Sequence, residues 1–275
     1  MPKIKVNDIT MNYDQQGSGE PLILIPYLAA DSACYAFQVA EYAKHFTCIS
    51  IDPRGAGETD KPEGPYSMEL FADDISGFMT ALGVERAHIS GLSLGAAVGI
   101  WLAAKYPDKV KSLSVHSGWA KTDSFMKTVV ESWQVLAKAL GSVPEMIITG
   151  IFPWCFTPEF YVGNSEHIQM LAGFVRSRPE QPVDAFLRQS DAVLAHDVES
   201  RLRDVKVPTQ ITIGEHDMIS ARFGAPLKES IQGSELIVFE DCSHAPIYEK
   251  VEEFNQKTLE FLQRHSGRAL QAGGK

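Results

Sequence analysis

Ser93 lies in a sequence pattern that is typical of a nucleophilic serine. Residues 91–95 read Gly-Leu-Ser-Leu-Gly, with a short strand-like run before them and the small residues of 96–104 after them. A serine in such a Gly-x-Ser-x-Gly pattern occupies a sharp strand-to-helix turn, with its Oγ exposed and the amide of the next residue aimed at the same point. Because a Cβ at either glycine would crowd this turn, the pattern predicts a nucleophile at Ser93 and an oxyanion-binding amide at Leu94.

A serine hydroxyl attacks a carbonyl only when a base takes its proton, and the base needs a partner that orients it. Asp217 follows a predicted strand at 209–213, and His244 follows another at 235–239. The carboxyl ends of parallel strands meet at one edge of a sheet, which is the edge that binds ligands in open α/β folds. We therefore predict a catalytic triad of Ser93, Asp217 and His244, in the chain order Ser, Asp, His.

Other carboxylates and histidines compete for these roles. Glu215 precedes the expected turn, and Asp241 lies three residues before His244, so Asp217 is preferred as the orienting acid. His116 ends a strand-like run and is predicted to line the substrate pocket.

The elements that must position these residues alternate between strand and helix. Continuous apolar runs such as 21–25 and 48–51 are typical of parallel strands that are covered on both faces. Apolar residues recur at spacings of three and four after Ser67, which is a predicted N-cap, and this helix is expected to end at Gly83. The alternation predicts an α/β fold with an open, mostly parallel sheet flanked by helices.

This alternation stops between residues 119 and 199. The segment lacks strand-like runs and holds three of the four tryptophans. We predict a helical cap over 119–199, a core domain formed by 1–118 and 200–267, and a flexible tail at 268–275. Trp119 and Trp154 are expected to contribute to an apolar wall over the substrate pocket.

Composition excludes several classes of function. The 275 residues carry a net charge of −10 without a Lys/Arg cluster, so nucleic acid is not an expected partner. The N-terminus does not resemble a signal peptide, and no apolar stretch reaches the roughly 20 residues of a membrane span. The four cysteines are widely spaced, which favours reduced thiols in the cytoplasm, and no zinc-ligand spacing predicts a metal.

Together these motifs resemble those of the α/β-hydrolase superfamily over nearly the whole chain. The resemblance rests on the strand-to-helix turn at 91–95, which we call the elbow, on Asp217 and His244, and on the glycine-rich loop at 52–57. It implies an eight-stranded sheet whose second strand is antiparallel, with a cap inserted after the sixth strand. Serine rather than aspartate at position 93 argues against haloalkane dehalogenases and epoxide hydrolases.

One departure from the family pattern concerns the oxyanion hole. Relatives usually carry His-Gly after the third strand, whereas residues 26–28 here read Pro-Tyr-Leu. The resemblance implies that the Leu28 amide joins the Leu94 amide in the hole, and that the Tyr27 hydroxyl enters the pocket if its side chain turns inward. This run also resembles bacterial esterases that include acyl-homoserine lactonases and pyrethroid-hydrolysing enzymes.

The expected function is a cofactor-independent hydrolase of small carboxylic esters or lactones with an apolar acyl or alcohol part. A C–C bond hydrolase with the same triad is an alternative, in which His116 or a cap arginine such as Arg188 polarises a ketone. A non-catalytic small-molecule receptor is the other alternative. A homodimer is left open.

Overall fold

The computed structural model describes residues 1–267, and its centre is one eight-stranded sheet. The strands are β1 Lys3–Val6, β2 Ile9–Gly17, β3 Glu20–Ile25, β4 Phe46–Ile51, β5 Ala87–Leu92, β6 Val110–His116, β7 Thr209–Gly214 and β8 Glu235–Phe239. Their spatial order is β1-β2-β4-β3-β5-β6-β7-β8. Strand β2 pairs antiparallel with both neighbours and the other pairs are parallel, so the predicted mostly parallel sheet with an antiparallel second strand is confirmed.

Helices cover the sheet and fill the connections between its strands. They are α1 Ala36–Tyr42, α2 Met68–Leu82, α3 Leu94–Lys105, α4 Ser124–Leu140, α5 Val143–Met146, α6 Phe152–Cys155, α7 Pro158–Gly163, α8 Ser165–Ser177, α9 Val183–Leu194, α10 Gly224–Ser230, α11 Pro246–Glu249 and α12 Val251–Arg264. Helix α2 packs on α3, and α1 packs on α12. Strands β5 and β7 are buried at every residue, as expected for parallel strands that are covered on both faces.

The caps predicted for α2 are present. The Ser67 side chain accepts a hydrogen bond from the Leu70 amide, and Gly83 ends the helix in the left-handed region at φ +73°. Helix α3 differs from α2 because it is apolar on all sides and almost entirely buried, as expected for a helix that lies deep against the sheet.

Residues 119–199 connect β6 to β7 and contain helices α4 to α9, with a π-helical turn at Ile147–Ile151. We call this stretch the helical segment. Its two ends meet at a short antiparallel bridge between Lys121 and Asp197, whose side chains also form an ion pair of 2.7 Å. The segment therefore leaves and rejoins the sheet at one place.

Two further points concern the limits of the chain. No helix within residues 1–267 is both long and apolar enough to cross a membrane. The tail predicted at 268–275 lies outside the described residues.

Candidate active site

Ser93 occupies the turn between β5 and α3 in a backbone conformation that L-residues rarely adopt, with φ +55° and ψ −115°. The two glycines of the motif make this turn sterically accessible. A Cβ on Gly91 would overlap the Gly95 carbonyl, and a Cβ on Gly95 would overlap the Ile25 carbonyl. Such backbone strain costs of order 1–3 kcal/mol and is found mainly at functional sites.

The three residues of the predicted triad are in hydrogen-bond contact. The distance from His244 Nε2 to Ser93 Oγ is 3.0 Å, and that from His244 Nδ1 to Asp217 Oδ2 is 2.9 Å. A carboxylate can only accept hydrogen bonds, so Nδ1 of the neutral imidazole carries the proton and Nε2 is free to accept from the serine hydroxyl. This geometry can remove a proton from Ser93.

Asp217 is held in place on both carboxylate oxygens. Oδ1 accepts from the Ile219 and Ser220 amides at 2.8 and 2.9 Å, and Oδ2 accepts from the Ser220 hydroxyl as well as from His244. Burial raises the pKa of Asp217, but the adjacent His244 ring and the hydrogen bonds from His244 and Ser220 lower it by more. The pKa therefore lies below its ordinary value, so the buried group is a carboxylate at neutral pH.

The rival carboxylates lie on the surface. Glu215 and Asp241 are exposed, and each approaches the exposed His216 at 3.9 Å rather than His244. The ligand atoms of these three side chains lie within 4.8 Å of one another, close enough to share a cation, but none of the three lines the cavity that contains Ser93.

The two predicted oxyanion donors are backbone amides near the elbow. Within residues 1–267, neither the Leu28 amide nor the Leu94 amide donates a hydrogen bond to another protein group. Leu28 lies in a tight turn closed by a 3.2 Å bond from the Ala30 amide to the Tyr27 carbonyl, with Ala29 in the left-handed region at φ +63°. Both amides are therefore available to an external acceptor.

The turn that carries Leu28 is also held by two buried glutamines of the helical segment. Gln189 Nε2 donates to the Arg54 carbonyl and Gln181 Nε2 to the Gly55 carbonyl, each at 2.7 Å. Gln189 Oε1 accepts from Gln181 at 3.0 Å and from the Ala29 amide at 3.4 Å. These bonds connect the helical segment to the loops that follow β3 and β4.

A cavity, which we call the main cavity, is lined by the side chains of Ser93 and His244. Its wall is mostly aliphatic and aromatic, and part of it comes from the helical segment. The lining residues are Tyr27, Leu28, Leu92, Ser93, Trp133, Ile147, Ile151, Phe152, Cys155, Phe156, Ile219, His244, Ala245 and Tyr248. A second cavity, the side cavity, shares Tyr27 and Ile147 in its wall and is also lined by Asp31, Arg178 and Gln181.

Of the four residues predicted to contact substrate, only Tyr27 lines the main cavity, and the other three require correction. His116 is fully buried within the sheet, where its ring nitrogens contact Ser90 at 3.1 Å and Thr212 at 2.8 Å, and burial lowers its pKa to about 3. Trp119 is 1% exposed, and its indole N–H donates to Thr122 at 2.9 Å.

Trp154, the third of these, packs edge-on against Phe125 and is not part of the wall of the main cavity. Other aromatic residues of the helical segment line it instead, namely Trp133, Phe152 and Phe156. The sequence signal for them was the aromatic richness of the segment. It did not distinguish the residues that face the cavity, because that depends on how the short helices pack.

The loop that carries His244, residues 240–245, is bonded to the helical segment on both sides of the histidine. We call it the histidine loop. The Ala245 amide donates to the Cys155 carbonyl, and the Ser243 hydroxyl donates to the Trp154 carbonyl, each at 3.1 Å. The imidazole is thus positioned partly by residues that precede it in the chain by about ninety positions.

Glu249 completes this connection. One of its carboxylate oxygens accepts from the Ser243 amide and from the Cys242 thiol, and the other accepts from the Thr157 amide at 2.7 Å and from its hydroxyl at 3.0 Å. A single carboxylate therefore joins the histidine loop to the start of α7. Neither the composition nor the spacing of the sequence indicated this role.

Known proteins resemble this chain in sequence and in structure. A family model described as the alpha/beta hydrolase fold matches residues 19–142. The 2-(acetamidomethylene)succinate hydrolase of Mesorhizobium japonicum is 30% identical over 229 residues, which covers 78% of this chain and 77% of that one. The 3-oxoadipate enol-lactonase 2 of Acinetobacter baylyi is 25% identical over 95% of this chain and 96% of its own.

Among solved structures, the enol-lactonase from Burkholderia xenovorans LB400 superimposes with a TM-score of 0.87 at 26% sequence identity. The superposition covers 95% of this chain and all of the other.

Proposed function

Because this chain belongs to the α/β-hydrolase superfamily and is a hydrolase, we propose that it cleaves carboxylic esters or lactones through an acyl-enzyme on Ser93. The observation that carries this proposal is the unbroken chain of hydrogen bonds from Asp217 through His244 to Ser93 at the wall of an apolar cavity. No metal or cofactor has a part in the proposed reaction.

In the first half of the proposed reaction, Ser93 Oγ attacks the substrate carbonyl carbon while His244 Nε2 takes the serine proton. Asp217 keeps the proton on Nδ1 and stabilises the imidazolium that forms. The oxyanion accepts hydrogen bonds from the Leu28 and Leu94 amides, and one such donor is worth about 3 kcal/mol of transition-state stabilisation. Collapse of the intermediate breaks the bond to the alkoxy oxygen, which takes the proton from Nε2.

In the second half, His244 removes a proton from water, and the resulting hydroxide attacks the acyl carbonyl. A second oxyanion forms in the same place, and its collapse returns the proton to Ser93 and releases the acid. For a lactone the alcohol and the acid are parts of one molecule, so the same steps give one hydroxy acid.

The cavity wall favours an uncharged acyl part. Within residues 1–267, no Asp, Glu, Lys or Arg lines the main cavity. Burying a substrate carboxylate there without a cation would cost several kcal/mol. The succinate in the name of the Mesorhizobium relative's substrate carries two carboxylates, so we propose a different, neutral substrate for this chain.

The C–C hydrolase alternative lacks the residues expected to polarise its ketone. His116 is enclosed in the sheet, and Arg188 pairs with Asp184 at 2.9 Å and lies over the Tyr66 ring at 5.7 Å. Neither residue lines the main cavity. These positions support ester or lactone hydrolysis over C–C bond hydrolysis.

The test is hydrolysis of p-nitrophenyl butyrate by the wild type and by Ser93→Ala. Loss of the nucleophile should lower kcat by about 10⁶-fold, whereas Ser165→Ala on the exposed surface of α8 serves as the matched control. A fluorophosphonate probe should label the peptide that contains Ser93, as read by mass spectrometry. Equal rates in the wild type and Ser93→Ala would refute the proposal, as would labelling at another residue.

A further inference from the structure

Two of the residues that line the main cavity, Tyr27 and Tyr248, are tyrosines whose hydroxyls are in contact with each other. The hydroxyl oxygens of Tyr27 and Tyr248 are 3.0 Å apart, and Tyr248 Oη is 3.0 Å from the Cys34 carbonyl oxygen. A carbonyl oxygen can only accept, so Tyr248 uses its single proton on Cys34. The remaining bond therefore has one direction, in which Tyr27 donates and Tyr248 accepts.

This direction determines what Tyr27 can offer to a ligand. Its proton is committed to Tyr248, and within residues 1–267 no group donates a hydrogen bond to its oxygen. Tyr27 is partly exposed and lies in the walls of both the main cavity and the side cavity. Burial raises the pKa of Tyr27 well above its ordinary value, so the phenol stays neutral. The residue thus presents lone pairs and no free proton.

We propose that the Tyr27 hydroxyl oxygen is a specificity subsite that accepts a hydrogen bond from a neutral N–H or O–H group of the substrate. The inference rests on the proposed function, since the substrate must reach Tyr27 while its carbonyl is at Ser93. The substrate class is therefore an ester or lactone whose otherwise apolar acyl part carries a hydroxyl or a secondary amide. A cationic donor does not fit, because within residues 1–267 no carboxylate lines the main cavity, and Asp31 in the side cavity is already paired with Arg178 at 2.8 Å.

The experiment compares matched substrates that differ only in whether the donor hydrogen is replaced by a methyl group. They are p-nitrophenyl esters of 2-hydroxy-, 3-hydroxy- and 3-acetamidobutanoic acid, each paired with its O-methyl or N-methyl counterpart. The measured quantity is the ratio of kcat/KM within a pair, so a general loss of activity in a variant cancels. A neutral hydrogen bond should favour the donor by about 3- to 10-fold in at least one pair in the wild type.

Two variants test whether the preference for the donor substrate depends on the hydrogen-bonded hydroxyls of Tyr27 and Tyr248. Tyr27→Phe removes the acceptor, so the ratio should fall to about 1. Tyr248→Phe removes the group that holds the Tyr27 proton, so Tyr27 becomes able to donate and the ratio should fall below the wild-type value. Tyr161→Phe is the matched control, because among residues 1–267 the Tyr161 hydroxyl has no hydrogen-bond partner and Tyr161 does not line the main cavity, and this variant should keep the wild-type ratio.

The Tyr27 subsite and the proposed Ser93-dependent function can be refuted separately. If p-nitrophenyl butyrate turnover does not depend on Ser93, the proposed function is wrong. The donor preference is then still read from the kcat/KM ratios of the same pairs, or from calorimetric titration of the methyl esters into the wild type if it has no turnover at all. If turnover depends on Ser93 but no pair shows a donor preference, or if Tyr27→Phe keeps that preference, the Tyr27 subsite is refuted and the proposed function stands.

Discussion

Replacing Asp217 by Asn is the sharpest test of the proposed triad, because the structure fixes how the new amide must lie. The Oδ1 position accepts from the Ile219 and Ser220 amides, so the asparagine oxygen has to occupy it. The amide NH₂ is then left at the Oδ2 position, 2.9 Å from His244 Nδ1. That NH₂ can only donate, so Nδ1 must accept and the imidazole proton moves to Nε2.

The expected cost follows from this reversed tautomer. An Nε2 that carries a proton cannot accept one from Ser93, although all three side chains remain in place. Reversal of the tautomer in a serine triad lowers kcat by about 10⁴-fold, which corresponds to about 5.5 kcal/mol of activation free energy. A residue that only supported the local fold would instead lower the midpoint of thermal unfolding and leave kcat per folded molecule nearly unchanged.

The assay is p-nitrophenyl butyrate hydrolysis at pH 7.5, with the folded fraction measured by circular dichroism. Asp241→Asn is the matched control, since it makes the same chemical change three residues before His244 on an exposed side chain, and it should retain wild-type kcat. An Asp217→Asn protein that is folded and retains more than about a tenth of wild-type kcat would refute the tautomer argument. If Asp217→Asn and Asp241→Asn lost kcat equally, the assignment of Asp217 rather than Asp241 as the orienting acid would be refuted.

Two further predictions address the supports of the site, and a third addresses the pH dependence of stability. Gly95→Ala should lower the free energy of unfolding by about 1–3 kcal/mol, measured by urea titration, because its Cβ would overlap the last carbonyl of β3; an unchanged value would contradict the close approach. Glu249→Gln should lower kcat by about 10-fold or more with little change in KM, because its NH₂ would face a backbone N–H of the histidine loop or of α7; a changed KM alone would contradict this. Burial raises the pKa of Glu20, but hydrogen bonds from Lys111 and His88 lower it by a larger amount. The net result for Glu20 is a pKa of about 2 instead of 4.5. Its contribution to stability, at most about 3 kcal/mol, is therefore complete above pH 4.5 and is lost as the pH falls toward 2. Glu20→Gln should flatten the urea-measured stability of the protein over that interval, and a parallel acid decline in both proteins would contradict the assignment.

The positions of the triad residues could be predicted because they depend on local signals. Ser93 is marked by two glycines within two residues of it, and the need for those glycines is evident in the overlaps that a Cβ would create. Asp217 and His244 each follow a strand that the sequence predicts, and parallel pairing brings the ends of β7 and β8 to one edge. These inferences required the direction of strands but no knowledge of side-chain packing.

The wall of the cavity could not be predicted in the same way. Trp119 and Trp133 both belong to an aromatic-rich stretch, yet one is enclosed beside Thr122 and the other lines the main cavity. Which indole faces the ligand depends on the packing of α4 against α9, a contact between residues distant in sequence. The prediction that His116 lines the pocket is wrong for a related reason. The side chain of the last residue of a strand can be enclosed within the sheet as well as face a pocket.

The bonds on both sides of His244 couple part of the helical segment to the general base. Residues 154–157 cannot move away from the histidine loop without breaking these hydrogen bonds or displacing the imidazole from Ser93. We therefore expect this stretch to stay in place when a substrate binds, so that the base remains within hydrogen-bond distance of the nucleophile throughout the catalytic cycle.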